Sequence, residues 1–432
     1  MPAALPLRSR SYFMPARAVG ATTGELLAIP AAFLTPKKVP LRAYNIILCS
    51  ILLVLTGTLL GSCRDDNEIF VADEINVDIP QYTSIHGFYL LNEGNMGSNK
   101  ATLDYYDYTT GIYTRNIYGQ ANPSVPKEMG DVGNDIAIYG SRLWAVINCS
   151  NKVEVMDAAT ARRIGQVDIA NCRYIRFHEG YAYVTSYAGP VVIRPDYEQR
   201  GFVAKIDTAT LQIVDTCLVG FQPDELEIAD GKIYVANSGG YMVPNYENTV
   251  SVIDLRSFRE VRRIPVAINL HHLRADRHGQ LWVSSRGDYY GEPSRLYCIN
   301  IGREQACADY GISNRALWLD SVDVAVSDFH IDGDSLYLYS GEWSYQLMDW
   351  TVTYGIVNTT TRQLLTRNFI TDGTDRKITM PYGIKVNPIT KDIYVTDAKN
   401  YVNPGTLWCF GPDGVAKWSV RTGDIPAHIV FY

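Results

Sequence analysis

Asp224-Glu225-Leu226-Glu227-Ile228, a turn at Asp230-Gly231, then Lys232-Ile233-Tyr234-Val235-Ala236-Asn237 is the stretch that decides the fold. Apolar residues alternate on both sides of a tight Asp-Gly turn, the pattern of two half-buried antiparallel strands. A third strand follows at Thr249-Val250-Ser251-Val252-Ile253-Asp254, and a fourth at Val261-Arg262-Arg263-Ile264-Pro265-Val266. The same order of elements recurs along the chain. The aromatic residue of the second strand marks the period best, at Tyr89, Trp144, Tyr183, Tyr234, Trp282, Tyr337 and Tyr394. These seven positions lie roughly fifty residues apart, and His278-Gly279 and Asp332-Gly333 repeat the turn. Four short antiparallel strands in each of several such repeats predict the blades of a β-propeller.

The ends of the repeat region predict how the ring closes. The first copy, His86-Gly87-Phe88-Tyr89, has no inner strand ahead of it. A spare strand stands at the other end, Ile425-Pro426-Ala427-His428-Ile429-Val430-Phe431-Tyr432. The expectation is an all-β, seven-bladed propeller over 85–432, its first blade made of one C-terminal and three N-terminal strands. Such a closure removes open sheet edges.

Ahead of the repeats, Lys37, Lys38 and Arg42 precede an apolar run from Ala43 to Leu60, which ends in Leu60-Gly61-Ser62-Cys63. The run is long enough to span a membrane. Its basic start and small-residue ending favour a secretory signal, with 1–62 removed and Cys63 lipidated as in bacterial lipoproteins. Arg64-Asp65-Asp66-Asn67-Glu68 opens a tether expected over 63–84 and resembles a surface-export signal. The chain is thus expected at the outer membrane, lipid-anchored and exposed at the cell surface. Residues 1–36 hold no clear element, which a start codon placed too early would explain.

The 432 residues have a globular composition, 47% hydrophobic and 20% charged, with 30 Tyr against 12 Phe. The formal net charge is −7. Segment 1–62 carries six basic residues against Glu25, so its removal leaves −12 over 370 residues. That charge argues against nucleic acid and against a domain lying on anionic lipid. Cys149, Cys172, Cys217, Cys298, Cys307 and Cys409 follow Cys63 without a metal-ligand spacing. Most sit in apolar strand patterns, where a buried thiol is the default; Cys298 and Cys307 could face each other across one hairpin.

Two sets of residues converge on one face of a propeller. Ahead of the inner strands stand Asn134-Asp135, Arg173-Tyr174, Asp224-Glu225, His271-His272, Ser327-Asp328, Tyr382-Gly383 and Ala427-His428. These polar groups can satisfy one another and channel water. The loops after the second strands combine Gly with Tyr or Trp, as in Asn237-Ser238-Gly239-Gly240-Tyr241 and Gly341-Glu342-Trp343-Ser344-Tyr345. Close backbone approach together with wide amphipathic area favours a binding surface. No HExxH, GxSxG or phosphate loop is present, so no catalytic residue, resident metal or cofactor is expected and the chain reads as a binding protein.

Four segments carry a resemblance: Leu91-Asn92-Glu93-Gly94-Asn95-Met96-Gly97-Ser98-Asn99-Lys100, Ala236-Asn237-Ser238-Gly239-Gly240-Tyr241, Val283-Ser284-Ser285-Arg286-Gly287-Asp288-Tyr289-Tyr290 and Thr396-Asp397-Ala398-Lys399-Asn400-Tyr401. From His86 onward the chain is similar to YncE-like propeller lipoproteins of gut Bacteroidetes, and most resembles their surface cobalamin-binding lipoproteins, the BtuG family. The resemblance implies a seven-bladed propeller that captures vitamin B12 and other corrinoids. It would pass them to a TonB-dependent outer-membrane transporter of the BtuB type. By their place on the expected face, the ligand contacts would be Asn95, Asn134, Arg173, Tyr174, Tyr187, Asp224, Tyr241, His272, Arg286, Tyr289, Trp343, Tyr382 and His428. A glycan-binding surface lipoprotein would use the same aromatic loops, and a propeller lyase or hydrolase is the further rival.

Overall fold

The computed structural model describes residues 73–81, 83–125, 128–344 and 349–432. The side chains of 342–344, 349 and 350 are not part of that description. The signal segment and Cys63 lie outside the described residues. Among those described, no helix is long and apolar enough to cross a membrane.

Seven antiparallel sheets form the seven blades. Counting inward strand first, blade 2 begins at Gly133–Tyr139, blade 3 at Cys172–His178 and blade 4 at Pro223–Ala229. Blades 5, 6 and 7 begin at Leu270–Ala275, Asp328–Asp332 and Pro381–Val386. Blade 1 is the closing one. Its inner strand is the C-terminal Pro426–Phe431, paired with Gly87–Asn92, and the expected one-plus-three arrangement is present.

A three-residue strand, Glu74–Asn76, adds a fifth member to the outer edge of blade 1 by pairing with Ile112–Thr114. It falls in the segment read as tether. The chain that follows crosses Gly111, where a Cβ would meet the Asp78 carbonyl oxygen at 2.1 Å. Only glycine fits there, with φ at +71°.

The core lies between blades. Each blade–blade interface holds a large apolar cluster, and a smaller one, Tyr382, Ala398, Ile425 and Ala427, lies beside the seam of blades 7 and 1. Tyr234, Leu270 and Leu281 share the one between blades 4 and 5. Phe88, Tyr394 and Ile429 share the one that joins blade 7 to blade 1. Six of the seven marker aromatics are buried and Tyr337 is half-buried. Each fully buried large side chain contributes about 1.5–3 kcal/mol, so every interface is a substantial term.

The Asp that ends the third strand in blades 1 to 4 has a local cause. Asp207 Oδ1 accepts hydrogen bonds from the amides of Ala209 and Thr210, and Asp157 and Asp254 do the same in their blades. Each carboxylate fixes a turn that delivers a bulge into the fourth strand, with Ala161, Leu211 and Phe258 at positive φ.

Two departures from a plain blade matter. Blade 5 inserts a helix, Ile301–Asp309, capped by the Asn300 side chain, which accepts from the Arg303 amide at 3.0 Å. Cys307 is on that helix, so it does not face Cys298 across a hairpin. Both are unbonded thiols, as are the other four cysteines described. In blade 6 the second and third strands, Ser335–Ser344 and Asp349–Asn358, are ten residues each. Their last four pairs extend the hairpin by roughly 13 Å at strand rise.

Candidate functional site

The inner strands bring seven sets of side chains to one channel, and a repeated backbone device sets their aim. In six blades the register between inner and second strand shifts at the start of the inner strand. In blade 4, Pro223 pairs with Asn237 and Leu226 with Val235, so Asp224 and Glu225 stand opposite Ala236 alone. Such a bulge sends one residue toward the rim and its neighbour into the channel. Six of the seven polar pairs expected just ahead of the inner strands therefore lie inside them, and in blade 6 Asp328 opens the strand with Ser327 ahead of it.

The rim residues form a buried chain. The Asn134 amide donates to the Arg173 carbonyl at 2.7 Å. Arg173 Nε donates to Asp224 Oδ1 at 3.2 Å, and its guanidinium stacks 4.6 Å from the Tyr187 ring centroid. The Tyr187 hydroxyl donates to Asp224 Oδ1 at 2.7 Å, and Arg286 Nη1 donates to Oδ2 at 3.0 Å. Arg173 and Asp224 have no exposed surface at all. Tyr174 shares a 3.0 Å hydrogen bond with His271 Nε2. Burial first, and the Arg286 charge second, push the His271 imidazole well below its ordinary range, so it is neutral.

A second group faces the channel around Glu225. Its Oε2 accepts from His272 Nδ1 at 2.8 Å and from the Leu273 amide at 3.1 Å. Its Oε1 is bound by Arg176 and by Arg274 Nε, the latter at 3.1 Å. Burial alone would raise the Glu225 carboxyl, but Arg274, Arg176 and His272 hold it well below the carboxylate range. Arg176 also reaches Asp135 at 3.1 Å, and Arg274 reaches Asp328 at 3.0 Å. Asp135 in turn accepts from the Ile175 amide at 3.0 Å. These carboxylates thus satisfy amides that the bulges release from the ladder.

The opposite side of the mouth is simpler. Glu93 accepts from the Tyr382 hydroxyl at 3.1 Å and shares a 3.1 Å bond with His428 Nε2. Burial raises the Glu93 carboxyl, and Glu93 in turn raises His428 against the effect of burial.

Two cavities open here. The channel itself, about 390 Å³, is lined by residues of all seven inner strands. A hollow of about 380 Å³ lies between the loops of blades 2 and 3, lined by Asn148, Cys149, Asn151, Asn171 and the stretch 188–191.

The thirteen expected contacts fall into three groups. Asn134, Arg173, Tyr174, Tyr187, Asp224, His272 and Tyr382 are buried in the networks above, and His428 is half-buried beside them. Asn95, Tyr241, Arg286 and Tyr289 are half-buried on the upper loops. Asn95 ties the loops of blades 1 and 7 through a 2.9 Å bond to the Tyr401 carbonyl, and the Tyr241 carbonyl accepts from the Arg194 amide at 2.8 Å. Trp343 sits in the extended hairpin with Trp350 directly opposite in register.

Glu93, Arg176, Arg274 and Lys385 were missed as site residues. The last three stand two positions beyond Tyr174, His272 and Gly383, so the period of a strand could have found them. Gly383 keeps its place because a Cβ would meet the Ala427 carbonyl oxygen at 2.0 Å. Among the described residues, no group of three His, Cys, Asp or Glu side chains is placed to hold a metal ion.

A ring of seven blades with a hydrogen-bonded polar mouth makes this a β-propeller whose loops and channel, not a cleft between domains, offer the places for a ligand. Within that class, the chain belongs to the family described as Domain of unknown function (DUF5074), which matches residues 86–404. No curated protein matches it. Among solved structures it is similar to a hypothetical selenium-binding protein from Sulfolobus tokodaii, at 10% identity and TM-score 0.52 over 81% of this chain and 94% of that one. A quinonprotein alcohol dehydrogenase-like protein from Bacteroides thetaiotaomicron matches at 14% identity and TM-score 0.49, over 80% and 78% of the two chains. AztD from Citrobacter koseri matches at 10% identity and TM-score 0.46, over 80% and 98%. At such identity the first of these likenesses bears on the fold alone.

Proposed function

We propose that this propeller is the binding part of a surface lipoprotein that captures cobalamin or another corrinoid and passes it to a TonB-dependent outer-membrane transporter. In this reading the protein has no catalytic role. One observation carries it: the loops of one face, around a polar mouth, present exposed apolar side chains from four of the seven blades. Met96, Val192, Ile193, Tyr290 and Val402 all stand exposed on the loops that follow second strands, in blades 1, 3, 5 and 7. A corrinoid is a broad ring edged with amides, so it needs apolar area around many donors and acceptors. Tyr241, Arg286 and Tyr289 provide both kinds of contact, and the asparagine-lined hollow between blades 2 and 3 suits amide groups. The buried residues beneath act as supports that hold this surface in one shape.

Titration of the protein with cyanocobalamin tests the proposal, and saturable binding at micromolar vitamin is the expected result. Replacing Tyr289 or Trp343 by Ala should then weaken binding by roughly 1–3 kcal/mol, the scale of a lost anchor. No binding at micromolar vitamin would remove the corrinoid from consideration, and unchanged affinity in both variants would move the site off these loops.

A further inference from the structure

One pleat below the mouth, the inner strands turn a second ring of side chains into the channel, and this ring is rich in cations. Arg176, Arg274 and Lys385 come from blades 3, 5 and 7, with His330 between the last two. The three carboxylates above are each bound by one or both of the two arginines. Arg176 takes Asp135 and Glu225, with Glu227 of its own ring at 3.9 Å, and Arg274 takes Glu225 and Asp328. Lys385 makes neither an ion pair nor a side-chain hydrogen bond with any described residue, although it lines the same 390 Å³ cavity.

Every blade contributes to the field at this amine. Arg274 and Arg176 repel it, Asp328 and Asp135 attract it from a distance, and Glu227, His330 and His428 also face the cavity. Burial first, and then Arg274 and Arg176, bring its pKa down to about 8. The His330 imidazole is pushed well below its ordinary range by burial and by Lys385, so it adds no charge. A neutral guest would leave a desolvated ammonium without a counter-charge, and a cation would be repelled. We propose that the channel is a second binding site, for a small oxyanion (a carboxylate or a phosphate-like group), held by Lys385 between Arg274 and Arg176. The site is separate from the loop surface and does not depend on what that surface binds.

An anion beside Lys385 restores the charged amine, so binding must take up protons near pH 8 and weaken as pH rises. Calorimetric titration of the full chain with acetate, and separately with sulfate, tests this without corrinoid and at constant chloride; neither probe titrates near pH 8. Saturable binding of at least one probe is expected, with net proton uptake at pH 8 and about tenfold weaker binding at pH 9.5 than at pH 7. Lys385→Met should abolish it. Lys385→Arg should keep the binding but lose the proton uptake, because arginine stays charged throughout. Failure of both anions to bind the parent protein overturns the proposal. So does equal affinity in Lys385→Met, or undiminished proton uptake in Lys385→Arg should the Met variant not fold.

Discussion

Asp224 and Glu225 are neighbours in one strand, yet they anchor two different regions. Asp224 turns outward into a dry cluster with Arg173, Arg286 and Tyr187. Glu225 turns inward to Arg176, Arg274 and His272 on the wall of the channel. Both carboxylates are buried, but their partners are not alike. Arg173 has no exposed side-chain surface, whereas Arg176 and Arg274 keep 24% and 21% of theirs open to the channel. Arg176 and Arg274 also have Asp135 and Asp328 in reserve, a resource for which the rim cluster has no equivalent. Scaffold and site separate on this point: buried charge that is fully paired holds shape, and a channel wall that keeps one amine without an ion pair can receive a ligand.

The most severe way to break both regions at once is to open the ring. Deleting 424–432 removes His428, the inner strand of blade 1 and one wall of the channel. It also exposes the edge of Gly87–Asn92 and unpacks the cluster shared with Tyr394. Insoluble or unfolded protein is expected, because an uncovered inner strand is an open template for aggregation. A stable monomeric deletion product would mean that the ring does not rely on this strand.

A finer cut compares the two neighbours directly. Asp224→Asn keeps the shape and leaves Arg173 buried without a counter-charge, a change that costs about 3–5 kcal/mol when one member of a buried pair is removed. Glu225→Gln should cost less, about 1–3 kcal/mol, since its arginines retain Asp135 and Asp328 and can draw on channel water. Denaturant unfolding of the two variants under the same conditions gives the ranking. Equal losses would mean that the channel cluster is as dry as the rim and would remove the distinction.

Local signals are legible in the sequence, and distant partners are not. Alternation around Tyr234 and its six counterparts, with Gly and Asp at the turns, is enough to count blades, and the spare strand at 425–432 is enough to close them. Glu74–Asn76 was beyond that reading because three residues of mixed polarity carry no period. The helix Ile301–Asp309 interrupts a blade whose strand pattern resumes only at Leu319–Val322. The polar pairs were found as pairs, but a bulge decides which member faces the channel, and a one-residue shift leaves no mark on alternation. Partners were further out of reach: Arg173 meets a carboxylate 51 positions away, and Tyr382 meets Glu93 289 positions away. Lys385 was hidden for the plainest reason, since its ring position is occupied above by a glycine.

The smallest expected effect concerns the side of the mouth where Glu93 and His428 meet. Burial would lower the His428 pKa, but the hydrogen bond and charge of Glu93 raise it above the ordinary imidazole value of 6.5. A base whose folded pKa is raised contributes stability that is complete below its unfolded pKa and fades as pH rises through the folded one. His428→Gln should therefore cost the protein about 0.5–1 kcal/mol at pH 6, and the deficit should shrink as pH climbs past the raised value. Glu93 shifts with the same sign in a lower pH window: burial raises its pKa, so its charged form weighs against folding above the ordinary carboxylate range, and His428 offsets part of that weight. Urea unfolding of the parent and the variant from pH 5.5 to 9 reads the difference. A deficit that stays constant over that range would assign His428 to packing alone, and the mouth would then have no titrating contact on this side to set against the fixed ion pairs of the other.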